Sequence, residues 1–159
     1  MNVYAMNLQM LTTEAILILF IWFLFNFFHD KREYFRKAFQ IINKLFYPIA
    51  VYIVLRYSVL ERTPSDERLF TFFADYGNEF YRELFMNALL YIPVGMVFSV
   101  WIGPWAILIG FVMSIAIESW QFFNGTGLAQ GTDVIMNTLG TAIGSLPWMA
   151  ACLIKRMRR

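Results

Sequence analysis

The chain has 159 residues, of which 59% are apolar and only 15% charged, with a formal net charge of +2 at pH 7. Soluble domains carry roughly 25% charged residues, and a mean hydropathy of +0.54 leaves too much apolar surface for one water-soluble core, so the composition predicts an all-α, polytopic membrane bundle of about five helices. A single cysteine excludes a disulfide-stapled module, and so small a net charge gives no reason to expect nucleic acid.

The first apolar run extends from Leu11 to Phe28 and ends at His29-Asp30-Lys31-Arg32. No Lys or Arg precedes Lys31, so the run reads as a retained first span rather than a cleaved leader. A second run, Phe39 to Leu60, carries Lys44 and Arg56 near its two ends, where long basic side chains reach the headgroups, and Pro48 as an expected kink. Residues 1–60 thus form two spans joined by a basic cytoplasmic loop.

Glu61 to Glu83 is the one sizeable polar segment, with six acidic residues against Arg62, Arg68 and Arg82. Leu69, Phe73, Tyr76 and Phe80 recur within it at helical spacing, which predicts an amphipathic helix along the membrane surface. From Leu84 to Ile154 only Glu118 and Asp133 are charged. Gly103-Pro104 and Asn124-Gly125-Thr126-Gly127 cut this stretch into three spans, about Leu84 to Trp101, Trp105 to Phe123 and Asp133 to Leu153, before the basic tail Lys155 to Arg159.

Basic residues cluster after the first span and after the fifth, whereas the N-terminal tail and the Asn124 to Thr132 loop have none. The positive-inside rule then gives an N-outside, C-inside chain, with the acidic loop and the Gly-rich loop outside.

Acids within such spans are costly unless neutral, paired or facing a wet cavity, so Glu118 and Asp133 are the first candidates for function. Gly110, Ser114, Glu118 and Gln121 line one face of the fourth span. Asp133, Asn137, Gly140 and Gly144 line one face of the fifth, the two glycines forming a GxxxG notch. With Asn87 at the outer start of the third span, three helices can share one outer polar pocket, and Arg82 is the expected balancing cation. Asp133 has an alternative role as a helix N-cap. Pro93 and Gly95 read as a kink and a packing notch. One His and one Cys build no zinc site of the usual kind, and no metal or cofactor is expected.

Tyr81-Arg82-Glu83-Leu84-Phe85-Met86-Asn87, Tyr91-Ile92-Pro93-Val94-Gly95, Ser114 with Glu118 and Gln121, and Thr132-Asp133 through Asn137-Thr138-Leu139-Gly140 together resemble the pattern of VanZ-like membrane proteins, over about residues 81 to 145. The resemblance implies a multi-pass protein of the bacterial cytoplasmic membrane, and the family's namesake is associated with resistance to the glycopeptide teicoplanin. Many relatives carry a basic residue followed by an additional Asp in the outer loop. Here Thr126 to Thr132 has neither, and Gln130 stands near the Asp position.

Two functions of different class follow as expectations. In the first, Arg82, Asn87, Glu118, Gln121, Asp133 and Asn137 bind an amphiphile, either a lipid-linked wall precursor or a lipid-bearing antibiotic. In the second, Glu118 and Asp133 act as acid and base of an intramembrane enzyme on an envelope lipid. A transporter is disfavoured, since five spans without repeat symmetry offer little machinery for alternating access.

Overall fold

A computed structural model describes residues 44, 46–60, 62, 69–72 and 78–157. The first apolar run, the basic loop after it and the start of the second run lie outside these residues. Helix α1 covers Phe46–Leu60 and winds its last turn, Arg56–Leu60, as a π-helix. A two-residue strand β1 follows at Phe70–Thr71. Helix α2 is Asn78–Ile102, a 3₁₀ turn occupies Gly103–Trp105, and α3 is Ala106–Asn124. Strand β2, Ala129–Gln130, leads into α4, Gly131–Met157.

The expected breaks fall where backbone chemistry demands them. Gly103 has φ 63° at the α2–α3 turn, and Gly125 has φ 60° as the left-handed cap of α3, its amide bonding the Gln121 carbonyl. Pro93 is buried within α2, which continues helically through it.

The expected surface helix from Leu69 does not form over Leu69 to Phe72. Phe70 and Thr71 are instead extended and pair in parallel with Ala129 and Gln130, held by Ala129 N–H to Leu69 O (3.1 Å) and Thr132 N–H to Phe72 O (3.2 Å). Helical spacing of apolar residues could not reveal this, because the competing partner is a segment some sixty residues downstream. The ring of Phe72 lies against Gly131, where any side chain would collide with it. Phe80 belongs to α2, and residues 73 and 76 lie outside the described residues.

Packing is reversed from the soluble pattern. Ser99, Ser114, Thr141, Ser145 and Gln121 are almost wholly buried, while Phe85, Trp101, Trp105, Leu108, Trp120 and Ile143 are exposed. Small hydroxyls are tolerated inside because each has a local acceptor. Thr141 Oγ1 donates to Asn137 O (3.0 Å), Ser145 Oγ to Thr141 O (2.8 Å), and Ser99 Oγ to Met96 O (3.2 Å). α4 lies in the middle. Its Gly140 and Gly144 face the Ala88 and Ile92 carbonyls of α2, and its Thr141 sits between Gly95 of α2 and Gly110 of α3. The GxxxG notch therefore joins the last helix to α2, whereas Gly110 and Ser114 supply the α3 contact. α1 packs on the outside of this core through Ile53 and Val54, against Leu90, Tyr91 and Val94 of α2 and Ile117 of α3. At its other end Tyr47 meets Phe98 and Trp101, with ring centroids 5.3 and 5.8 Å away.

Among the described residues one helical stretch, Phe80–Asn124, is long and apolar enough to cross a membrane; it comprises α2, the turn and α3. α4 is longer than α3 but dilutes its apolar positions with the polar residues that make it the central helix.

A side chain at Gly144 would run into the backbone of Ile92 and Met96. Gly144→Leu is expected to cost about 3 kcal/mol and much of the folded yield, and Gly125→Ala, strained only by its left-handed backbone, about 1–2 kcal/mol. Thermal unfolding in detergent checks the order, and equal stability of Gly144→Leu and the wild type would place the notch outside the helix contact.

Candidate functional site

All eight residues of the two predicted polar faces are buried: Gly110, Ser114, Glu118 and Gln121 on α3, and Asp133, Asn137, Gly140 and Gly144 on α4. Three of the polar ones, Glu118, Gln121 and Asp133, converge where the β1 and β2 segments meet. Helix geometry places Glu118 and Gln121 one turn apart on one face, and the backbone after Gly125 returns to them.

Glu118 Oε2 accepts the Gln130 N–H at 2.9 Å, at the entrance to α4, so a carboxylate of α3 occupies the positive end of the next helix. Asp133 lies in the first turn of α4, two residues inside the helix start rather than at the N-cap, and is hydrogen-bonded by the Asn87 side chain of α2. The charges of Glu118 and Asp133 act on each other, and Glu83 adds further negative potential at Asp133.

The cation that offsets these carboxylates is Arg62, whose charge acts on both Glu118 and Asp133. The expected Arg82 is exposed near the start of α2. Arg62, two residues beyond the end of α1, reaches the site because Gly127 has no side chain: Arg62 Nη1 lies where a Cβ at Gly127 would contact it. The Asn124 to Thr132 loop lacks a cation of its own, and the polar segment after α1 supplies one. The sequence favours Arg82 for its closeness to Asn87; the available signal for Arg62 is its position two residues after the end of α1, whose Ser58 carbonyl Gln121 holds.

Gln121 Nε2 donates to the Ser58 carbonyl at 2.8 Å. Ser58 is in the π turn closing α1, so its carbonyl is one that a helix end leaves without an intrahelical partner. Asn137 Nδ2 donates to Ser114 Oγ at 2.8 Å. Both amides keep a buried oxygen with no partner, Gln121 Oε1 and Asn137 Oδ1, as does Thr126 at Oγ1, while the Tyr91 hydroxyl lies within reach of Ser114. Native interiors leave few such groups, and each one costs about 1–3 kcal/mol. Tyr91 had entered the sequence reading only as part of a motif, because a tyrosine in an apolar run looks like core.

No group of three or more His, Cys, Asp and Glu residues arranged to hold a metal occurs among the described residues. Arg62, Asn87, Glu118, Gln121, Asp133 and Asn137 form the chemically capable set: two acids near enough for charge to act between them, one cation, and three amides each with one side-chain bond already made.

The VanZ/LLP1 family pattern matches residues 13–154, almost the whole chain. No curated protein and no solved structure matches the chain significantly.

Arg62→Gln removes the charge that offsets two buried carboxylates. Discounted for the half-exposure of Arg62, the cost is expected at about 1–3 kcal/mol, with Glu118→Gln in the same molecule recovering about 1 kcal/mol or more of it. A double-mutant cycle on thermal stability measures the coupling, and strict additivity would separate Arg62 from the carboxylates.

Proposed function

Because the chain belongs to the VanZ/LLP1 family, we propose that it is a multi-pass protein of the bacterial cytoplasmic membrane that binds the polar head of an amphiphile in the pocket around Glu118, Gln121 and Asp133. The amphiphile is a lipid-linked wall precursor or a lipid-bearing glycopeptide antibiotic of the teicoplanin type, and binding it contributes to resistance. The observation that carries this reading is the group of unpartnered buried oxygens beside two carboxylates, at the bundle end where both polar loops meet.

A lipid environment is supported by the exposed apolar surface and by where its aromatic residues sit. Exposed Trp105 and Trp120 are about 23 Å apart along α3, and exposed Tyr81 and Trp101 about 30 Å apart along α2, spacings suited to interfacial belts on either side of a hydrocarbon core. The pairing of β1 with β2 supports putting the acidic loop and the Gly-rich loop on one side, as the N-outside, five-span topology requires. In that topology the site opens toward the outer leaflet, where wall precursors and antibiotics are met. The nearness of Glu118 and Asp133, close enough for charge to act between them, also suits the enzymatic alternative, in which one acid protonates and the other deprotonates an envelope lipid.

Two experiments test the reading. In a Cys152→Ser background, an impermeant thiol reagent on intact cells should label Thr126→Cys and spare Arg158→Cys; the reverse would overturn the orientation. Purified protein incubated with labelled envelope lipids should bind saturably without product, and Glu118→Gln should weaken that binding. Turnover lost in Glu118→Gln would establish the enzyme instead.

A further inference from the structure

The hydrogen-bonding inventory of this pocket is lopsided, and the imbalance bears on what the pocket takes, given that it binds a head group at all. Gln121, 1% exposed, spends its amide donor on the Ser58 carbonyl. A carbonyl can only accept, so the amide orientation is fixed and Oε1 is the atom left without a partner. Asn137 spends Nδ2 on Ser114 and keeps Oδ1 unpartnered. The Gln130 N–H is taken by Glu118, and the Asn87 side chain is engaged with Asp133. What remains in this region is richer in acceptors than in donors: two amide carbonyls and two carboxylates, against the second N–H of each amide and the Tyr91 and Thr126 hydroxyls, with Glu83 adding negative potential and Arg62 as the described cation that acts on both acids.

We propose that the pocket takes an alkylammonium, a primary amine carried by the head of an amphiphile, and that Arg62 is the group this ammonium displaces from Glu118 and Asp133. An ammonium offers three donors and a compact charge to a site rich in acceptors. A phosphate or carboxylate head would bring further acceptors and like charge to the same oxygens. A neutral polyol would satisfy the amides but leave the excess negative charge uncompensated. Displacement of Arg62 is feasible because the residue is only half-buried and its Nη1 lies in the space that the missing side chain of Gly127 leaves open. The amine can come from an aminophospholipid or from an amino sugar, and the chemistry at the acids is the same for both.

The test uses the full chain in a nonionic polyoxyethylene detergent, with thermal stabilisation read as a function of added phosphatidylethanolamine, phosphatidylglycerol or diglycosyl diacylglycerol. Phosphatidylethanolamine should stabilise saturably and the other two should not. Its apparent affinity should fall about tenfold or more in Glu118→Gln and rise in Arg62→Gln, because the variant loses the competing cation. Gly127→Ala, which crowds the guanidinium without deleting it, should move affinity in the same direction as Arg62→Gln and serves if that variant does not fold. Free ethanolamine and glucosamine, run alongside, separate a lipid source of the amine from a sugar source. Preference for phosphatidylglycerol with loss of binding in Arg62→Gln would overturn the proposal in favour of an anion, and preference for the glycolipid would overturn it in favour of a polyol. Saturable binding by none of the three lipids and neither free amine would overturn the binding reading itself.

Discussion

Two carboxylates from different helices meet at one end of an otherwise apolar bundle, and the surrounding structure answers their cost. Ionised groups removed from water need opposite charge and hydrogen bonds, or they destabilise the fold by several kcal/mol. Glu118 receives the amide at the mouth of α4, Asp133 receives Asn87 from α2, and both receive Arg62 from a segment that is far away in sequence. Each provider comes from a different element, so the acids depend on the assembled fold and the loops are held where the acids need them. The short β1–β2 pairing does little by area. Its value is that it holds the Leu69 to Phe72 backbone against the entrance to α4.

Beneath that end the bundle is held by close backbone approach together with the apolar cluster that α1, α2 and α3 share. Glycines on α2, α3 and α4 let backbones approach until carbonyls touch Cα positions, and the few hydroxyls inside bond back to their own helix. Such an interior is economical where helices cannot be driven together by excluding water, because dispersion contacts and short polar bonds then carry the association. The large apolar side chains face outward, and the buried polar atoms concentrate toward one end. A molecule entering there meets amide oxygens already desolvated and held in position, which is what makes a site specific rather than merely sticky.

Much of this was legible in the sequence because it is local. Helix ends followed Gly103-Pro104 and Gly125, and both polar faces were found from spacing alone, since a helix turns the same way whatever surrounds it. Pairings between distant segments were not legible. The Leu69 to Phe80 periodicity looked helical because nothing in it records that Ala129 and Gln130 offer a strand, and Arg82 looked like the balancing cation because it is near Asn87 in sequence. Nothing in the sequence singles out Thr141 and Ser145, and Tyr91 stands out only within a motif, because their significance lies in which neighbour they face. The family resemblance drew attention to the right region, and it also showed that this chain's outer loop lacks a basic residue, the gap that Arg62 fills from elsewhere.

The central claim is that the Phe70–Thr71 backbone is docked on the Gly-rich loop at the end of the bundle that holds the acidic pair. Thr71 and Gln130 are paired across β1 and β2, and replacing both by cysteine in a Cys152→Ser background tests that docking directly in the intact membrane. The account predicts rapid disulfide formation under mild oxidation, with either single variant remaining monomeric and uncrosslinked. Failure of the pair to crosslink, in protein that is otherwise folded and thiol-accessible, would contradict it.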